Sequence, residues 1–224
     1  MLTGPGLLPR SGEKAKQLVV FCHGYGSNGE DLLSLAPYWS NLLPEAEFLS
    51  PNAPEDWEAY PSGYQWFSLQ EFTPRSVRAG LDGAAPVLRD YLLDALQQRN
   101  LTPADLAIVG FSQGGMMALE MMFLVPGIGG IICYSGGFYP RHEASSPQPY
   151  PQVLLVHGDA DTVVPYDYFL EAQHTLRKLD LSPKTLTCSG LGHSIDEEGL
   201  KTGGQFLIQL FAPEQRNIDM KQQQ

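Results

Sequence analysis

Short apolar segments alternate along the chain with longer segments in which apolar residues recur at helical spacing. Strand-like runs of β-branched, aliphatic and aromatic residues occupy 17–22, 47–50, 106–109, 130–134, 152–156 and 184–188. Helix-like segments occupy 30–43, 75–98, 116–119, 166–178 and about 196–211. This alternation predicts βα crossovers, and therefore an α/β fold with a mainly parallel central sheet between helices on both faces.

The continuity of this pattern indicates one domain. A chain of 224 residues is long enough to bury a sizeable core, and neither an internal repeat nor a linker divides it. We expect a single domain over 1–224, with a Gly- and Pro-rich N-terminal arm at 1–16 and a polar tail at 212–224 that need not be ordered. The loop at 55–74 carries a cluster of aromatic residues, which are Trp57, Tyr60, Tyr64, Trp66, Phe67 and Phe72.

Composition and charge exclude several classes of protein. A content of 43% hydrophobic and 17% charged residues is not that of a disordered chain. The net charge of -11 disfavours binding to nucleic acid and to anionic membrane surfaces. No apolar segment has the length of a membrane-spanning helix, and the arm lacks the charged-then-apolar order of a signal peptide. We therefore expect no nucleic-acid partner and no stable membrane insertion.

The cysteines favour a reducing compartment. Cys22, Cys133 and Cys188 are odd in number, and each lies in or beside an apolar run. Buried, reduced thiols are typical of cytoplasmic proteins, so we expect a cytoplasmic location. No C-x-x-C motif and no Cys/His pair at zinc-binding spacing occurs, so we expect no metal. The sequence is compatible with a homodimer but does not determine the oligomeric state.

The segment Gly110-Phe111-Ser112-Gln113-Gly114 has the G-x-S-x-G form. In this motif a serine occupies a strained turn between a strand and a helix, and glycines allow the two elements to approach closely. The turn would present the Ser112 hydroxyl above the sheet, beside the amides of a helix N-terminus. Glycine-rich turns also close ordinary βα units, so the motif needs support from the rest of the chain.

That support comes from the reactive side chains that follow other strand-like runs, which are His23, Asp159, Asp161 and His193. In a parallel sheet these positions meet at one edge, where ligands bind. A serine hydroxyl becomes a useful nucleophile when a base lies within hydrogen-bond reach and an acid orients that base. We therefore expect a serine, a base and an acid at this edge.

Among the five histidines, His193 is the candidate base. It lies in a Gly-rich loop after a strand and downstream of the candidate acids, which gives the order serine, acid, histidine of an α/β-hydrolase. A plain loop histidine is the alternative. His174 lies within a predicted helix, and His142 lies in a Pro/Ser-rich loop without an evident partner. His23 and His157 end strands, where hydrogen-bonded structural roles are expected.

Two aspartates compete for the role of the acid, because both follow the strand that precedes the histidine loop. Asp159 directly follows Gly158 and could stabilise the turn through the backbone, as aspartates in tight turns do. Asp161 lies further into the loop and has more reach. The residues favour Asp161 and leave Asp159 as the alternative.

Four ordered segments, 21–27, 110–115, 157–165 and 190–193, resemble the phospholipase/carboxylesterase family of α/β-hydrolases, which includes the acyl-protein thioesterases. Shorter stretches of similar character lie at 51–54, 66–67 and 135–137. The resemblance spans the chain from about residue 17 to residue 211, and it implies the α/β-hydrolase fold.

By position, the resemblance implies Ser112 as nucleophile, Asp161 as acid and His193 as base. It implies that the oxyanion is bound by the backbone N–H groups of Tyr25 and Gln113, and that no cofactor is needed. The physics agrees for Gln113, because an amide at a helix N-terminus favours an anion.

The same resemblance implies a serine carboxylesterase acting on a small-molecule ester with a short to medium acyl chain. The thioesterases of the family carry an aspartate soon after the His-Gly pair, whereas this chain has Ser27-Asn28. That departure favours a general, bacterial-type carboxylesterase. The alternatives are an acyl-protein thioesterase or lysophospholipase, another acyl-transfer enzyme such as a peptidase, and a hydrolase-like protein that binds an apolar ligand without catalysis.

The aromatic loop at 55–74 is the candidate lid or acyl-binding segment. Trp66, Phe67 and Leu69 are the candidate substrate-binding residues within it. The alternative is that these side chains pack the loop onto the sheet, since buried aromatic residues mostly serve packing. The methionines of the helix after Ser112 are expected in the core, because that helix is apolar on nearly every face.

Overall fold

The computed structural model describes residues 2–57, 59, 62–140 and 149–212. Its strands are β1 (Gly6–Leu7), β2 (Gln17–Cys22), β3 (Ala46–Leu49), β4 (Glu55–Asp56), β5 (Tyr64–Gln65), β6 (Leu106–Phe111), β7 (Gly130–Tyr134), β8 (Gln152–Gly158) and β9 (Lys184–Cys188). Its helices are α1 (Gly29–Leu33), α2 (Ala36–Ser40), α3 (Pro74–Arg99), α4 (Gln113–Leu124), α5 (Asp167–Lys178) and α6 (Glu197–Phe211).

Seven of these strands form one sheet in the order β1-β3-β2-β6-β7-β8-β9. Every neighbouring pair is parallel except β1 and β3, which are antiparallel. The carboxyl ends of β2, β6 and β8 therefore lie at the same edge, and these strands lead into the segments that hold His23, Ser112 and Asp161.

Successive residues of the central strands pack against different helical layers. Leu18 and Val20 join the core beneath α3, α4 and α5, whereas Val19 and Phe21 join the core beneath α1, α2 and α6. Both faces of the sheet are thus buried, which explains the unbroken apolar runs of the central strands. The predicted α/β fold with helices on both faces is confirmed.

The largest difference from the predicted elements is at 30–43, where the expected helix is two short helices, α1 and α2. Pro37 lies in the first turn of α2, where the missing N–H is tolerated. A continuous helix through Pro37 would lose a hydrogen bond and bring the proline ring against the carbonyl of the preceding turn. The apolar periodicity survives this break because both helices pack on the same layer.

Two segments expected to be irregular contain strands. The N-terminal arm contributes the edge strand β1, which pairs with β3, and the aromatic loop contains the hairpin β4–β5. Tyr60, His142 and the tail beyond residue 212 lie outside the described residues. No helix in the described part of the chain is both long and apolar enough to cross a membrane.

Candidate active site

Ser112 occupies a sharp turn between β6 and α4, with φ of 55° and ψ of -118°. A positive φ is unfavourable for a residue with a Cβ, and such strain clusters at functional sites. A Cβ on Gly110 would lie 2.1 Å from the Gly114 carbonyl oxygen, and one on Gly114 would lie 1.8 Å from the Cys22 carbonyl oxygen. The two flanking positions therefore require glycine, as the motif predicts.

Backbone hydrogen bonds hold the strained turn in place. The Ser112 N–H donates to the Tyr134 carbonyl oxygen at 2.8 Å, and the Ser112 carbonyl oxygen accepts from Gly115 N–H at 2.9 Å. The Ser112 side chain does not cap α4, and the first amides of a helix have no acceptor within it. The start of α4 therefore provides N–H groups that favour an anion beside the serine.

Asp161 and His193 form the pair predicted from the sequence. His193 Nδ1 donates to Asp161 Oδ2 at 2.7 Å. The other carboxylate oxygen, Oδ1, accepts from the N–H groups of Val163 and Val164, each at 2.9 Å. The Asp161 side chain is fully buried, and that of His193 is 17% exposed. Asp161 thus holds the histidine ring with Nε2 left as its proton acceptor.

The alternative acid, Asp159, has a different environment. Its side chain is exposed, and its Oδ1 accepts from Gly190 N–H at 2.6 Å. This is the turn-stabilising role that the sequence offered as the alternative for Asp159. Of the two aspartates, Asp161 is hydrogen-bonded to His193.

The pKa of Asp161 lies below its ordinary value despite the burial of the carboxylate. Burial by itself raises the pKa, but hydrogen bonds from His193 and from the Val164 and Val163 amides outweigh that effect. Asp161 is therefore ionised at neutral pH, as an acid that orients a histidine and stabilises its charged form must be.

Phe111 connects the two halves of the site. The His193 ring packs on the Phe111 ring with centroids 4.8 Å apart, and Phe111 directly precedes Ser112. The hydrogen bonds of the described residues include none between Ser112 Oγ and His193 Nε2. Such contacts are often long in the absence of substrate and shorten in the reacting complex. No sequence pattern signals the contact between Phe111 and His193, because it depends on the approach of two distant loops.

Two other histidines are buried and hydrogen-bonded to backbone. His157 Nε2 donates to the Val164 carbonyl oxygen at 2.8 Å and lies 3.4 Å from Asp161 Oδ2. His23 Nδ1 donates to the Gly24 carbonyl oxygen at 2.8 Å. Both fit the structural roles expected at strand ends, and His174 lies on α5, as predicted, where it is exposed.

The two candidate oxyanion residues belong to the two segments that meet at Ser112. Gln113 is the first residue of α4. Tyr25 follows Gly24, and a Cβ on Gly24 would lie 3.4 Å from Ser112 Cβ. The loop after β2 therefore passes directly beside the serine.

Burial changes the interpretation of the candidate substrate-binding residues. Trp66 is 1% exposed and Phe67 is 5% exposed, so their rings pack the loop onto the protein and do not form the expected acyl-binding wall in this structure. Leu69 is partly exposed. The four methionines of α4, which are Met116, Met117, Met121 and Met122, are buried in the core as expected.

The Gln113 side chain fastens this same loop, a contact that sequence reasoning missed. Its Oε1 accepts from Trp66 N–H at 3.0 Å, and its Nε2 donates to the Phe67 carbonyl oxygen at 2.7 Å. The Trp66 indole N–H donates to the His23 carbonyl oxygen at 3.0 Å. The segments that contain the two candidate oxyanion amides are therefore joined through Trp66.

A strained serine between a strand and a helix, together with a His–Asp pair at the same sheet edge, defines the serine hydrolases of the α/β-hydrolase fold. Residues 9–210 match the family model described as Phospholipase/Carboxylesterase, and the chain belongs to that family.

Individual relatives agree with this classification. The chain is 39% identical to esterase PE8, whose crystal structure superposes with a TM-score of 0.88 over 94% of this chain and 99% of that one. It is 28% identical to esterase YpfH of Escherichia coli, over 84% of this chain and 80% of the relative. It is 31% identical to acyl-protein thioesterase 1 of Saccharomyces cerevisiae, over 72% and 77% of the two chains. The chain is thus an enzyme, a serine hydrolase, and the alternative of binding without catalysis loses its support.

Acidification is expected to destabilise the fold through the buried histidines. Burial lowers the pKa of His23 and of His157 below the ordinary value, so below about pH 6.5 the unfolded chain binds more protons than the folded one. The free energy of unfolding should then fall with pH, by at most about 1.4 kcal/mol per pH unit for each histidine. Protonation of Asp161, whose folded pKa is also lowered, adds a loss at still lower pH.

Urea unfolding at about pH 7.5, 6.5 and 5.5 measures this dependence. His157→Gln should flatten the profile, because one buried titrating group is removed, and His174→Gln on the exposed face of α5 is the matched control. A free energy of unfolding that stays constant or rises from neutral to acid pH contradicts the prediction.

Proposed function

We propose that this enzyme is a serine carboxylesterase that hydrolyses small-molecule esters with short to medium acyl chains. In this proposal Ser112 is the nucleophile, His193 the general base and Asp161 the acid that orients it. The observation that carries the proposal is the 2.7 Å hydrogen bond between Asp161 and His193, next to a serine held at a positive φ.

Acylation follows from this arrangement. His193 Nε2 takes the proton from Ser112 Oγ as Oγ bonds to the ester carbonyl carbon, and the carbonyl oxygen becomes an oxyanion. The C–O bond of the leaving group then breaks, and His193 returns the proton to the departing alcohol. Asp161 keeps Nδ1 protonated throughout and stabilises the imidazolium that forms between these two transfers.

Deacylation repeats the sequence with water. His193 removes a proton from water as the water oxygen attacks the acyl-enzyme carbonyl, and then protonates Ser112 Oγ as the acid leaves. In both halves the N–H groups of Tyr25 and Gln113 donate to the oxyanion. A preorganised donor of this kind contributes about 10²- to 10³-fold in rate.

Two observations support a general esterase with a limited acyl site. The Trp66 and Phe67 rings, which could extend such a site, are buried in packing. The thioesterases carry an aspartate where this chain has Ser27 and Asn28, and here both side chains bind Asp31 in the first turn of α1. Asn28 Oδ1 caps the helix by accepting from Asp31 N–H at 3.0 Å. Ser27 Oγ donates to the Asp31 carboxylate at 2.9 Å. The thioesterase relatives keep an acyl-protein thioesterase or lysophospholipase as the second candidate.

A substrate panel tests the proposal and separates the two candidates. Wild-type enzyme is assayed against p-nitrophenyl esters from acetyl to palmitoyl, a matched octanoyl thioester, a palmitoyl thioester and a lysophospholipid. The highest kcat/KM should fall between the acetyl and octanoyl esters. A sharp preference for the palmitoyl thioester or the lysophospholipid would favour the second candidate, and no turnover of any substrate would contradict the esterase itself.

We also propose the cytoplasm as the compartment of this enzyme. Cys22, Cys133 and Cys188 are free and buried, which suits an environment that keeps thiols reduced.

A further inference from the structure

The His23 ring is buried between two backbone segments and bonds to both. Its Nδ1 lies 2.8 Å from the Gly24 carbonyl oxygen, and its Nε2 lies 3.0 Å from the Ala53 backbone nitrogen. A carbonyl oxygen only accepts, so Nδ1 carries the proton, and an amide N–H only donates, so Nε2 is the acceptor. The two contacts together select one neutral tautomer. Burial lowers the pKa of His23 and keeps the ring in that neutral form.

The carbonyl that His23 holds belongs to the peptide bond between Gly24 and Tyr25. A trans peptide is planar, with its C=O and N–H pointing in opposite directions, so fixing the oxygen fixes the direction of the Tyr25 N–H. The same oxygen also accepts from Ser27 N–H at 3.2 Å. Two donors on the oxygen hold the peptide plane and polarise it, which makes its N–H a stronger donor.

We infer that His23 is a positioning residue of the oxyanion hole, which aims the Tyr25 N–H at the oxyanion by holding the Gly24 carbonyl oxygen on the opposite side of the peptide. The inference rests on the proposed function and on the closeness of this loop to Ser112, shown by the 3.4 Å that would separate a Cβ on Gly24 from Ser112 Cβ. His23 does not touch the reacting atoms, and its effect passes through one peptide group.

The other side of the oxyanion hole is tied to the same assembly. The Trp66 indole N–H donates to the His23 carbonyl oxygen at 3.0 Å, and the Trp66 backbone N–H donates to Gln113 Oε1 at 3.0 Å. His23, Trp66 and Gln113 are all buried. The relative placement of the Tyr25 and Gln113 amides is therefore fixed before substrate binds, which is the condition for effective electrostatic stabilisation.

Two substitutions at His23 test the two hydrogen bonds of its ring separately. In H23N the side-chain NH₂ can occupy the position of Nδ1 and keep a donor to the Gly24 carbonyl oxygen. In H23Q the longer side chain reaches the position of Nε2 and keeps an acceptor for Ala53 N–H, but it leaves the Gly24 oxygen without its side-chain donor. H174Q, at an exposed histidine of α5, is the matched control.

The measurement is kcat and KM for p-nitrophenyl butyrate and for its thionoester, in which sulfur replaces the carbonyl oxygen. Sulfur accepts hydrogen bonds weakly, so the rate ratio between ester and thionoester reports on the oxyanion hole. We expect H23Q to lose about 10²-fold in kcat on the ester with little change in KM, and to lose much less on the thionoester. H23N should retain more activity than H23Q, and H174Q should match wild type.

Equal losses on the two substrates in H23Q, or equal activity of H23N and H23Q, would overturn the inference, because a purely structural role predicts those results. If neither variant folds, imidazole nitrogen-15 NMR of wild-type protein decides the matter: a proton on Nδ1 of His23 supports the inference, and a proton on Nε2 overturns it. Wild type that hydrolyses no ester would instead contradict the proposed function, so the two failures are distinguishable.

Discussion

Ser112→Ala is expected to lower the kcat for ester hydrolysis by at least about 10⁴-fold. The substitution removes the only protein atom that bonds to the acyl group in the proposed mechanism, and it leaves the backbone N–H groups around the site in place. The fold should not suffer, because alanine meets the same strain at φ of 55° as serine and Ser112 Oγ does not cap α4. The expected result is a stable protein without turnover.

Fluorophosphonate labelling, read by intact mass, measures this directly. Wild type should gain one adduct and Ser112→Ala none. Ser135→Ala is the matched control, since Ser135 is also a buried serine with a positive φ, 49°, and it follows the neighbouring strand β7. The control should be labelled and active. Labelling that persists in Ser112→Ala would place the nucleophile elsewhere.

Asp161→Asn is expected to reduce kcat by about 10⁴-fold at neutral pH. The asparagine oxygen can keep the hydrogen bonds from the Val163 and Val164 amides, which places the side-chain NH₂ against His193 Nδ1. That group is a donor, so it favours the histidine tautomer with the proton on Nε2, which cannot accept a proton from Ser112. The expected loss therefore comes from the wrong tautomer in an otherwise native site.

Asp159→Asn is the matched control for this prediction. The asparagine can still accept from Gly190 N–H, because that bond uses a single side-chain oxygen. The kcat of Asp159→Asn on p-nitrophenyl butyrate should remain close to that of wild type. The melting temperatures of Asp159→Asn and Asp161→Asn should show that each variant is folded. Loss of turnover in Asp159→Asn alone would reverse the assignment of the acid.

Sequence patterns predicted those parts of the molecule that depend on local chemistry. The strands β7 and β9 have the predicted bounds, and α3 differs by one residue at each end. The turn at Ser112 was predictable because only glycine fits where β6, α4 and β2 approach within van der Waals distance. Asp161 could be preferred to Asp159 because the length of loop available to each side chain can be read from the sequence.

The remaining features depend on contacts between distant segments, for which the sequence contains no periodic signal. The aromatic composition of 55–74 indicated a substrate wall, yet Trp66 is buried, and its two N–H groups have acceptors in His23 and Gln113 that satisfy them there. Likewise, nothing local shows that the Gln113 side chain reaches a loop that lies 46 and 47 residues earlier in the chain. Burial and hydrogen-bond partners of polar groups required the three-dimensional structure.

The hydrogen bonds between the Gln113 side chain and the backbone of residues 66–67 constrain which parts of this enzyme can change in sequence without loss of activity. The loop at 55–74 is the candidate acyl-binding segment, and two of its backbone groups bind the residue next to Ser112. A change in this loop is therefore expected to alter the turn at Ser112, and with it the turnover rate, together with any effect on substrate preference. A transplanted loop that lacks a matching N–H and C=O would loosen the turn at Ser112, so laboratory evolution of selectivity should proceed through partly exposed positions such as Leu69 sooner than through loop replacement.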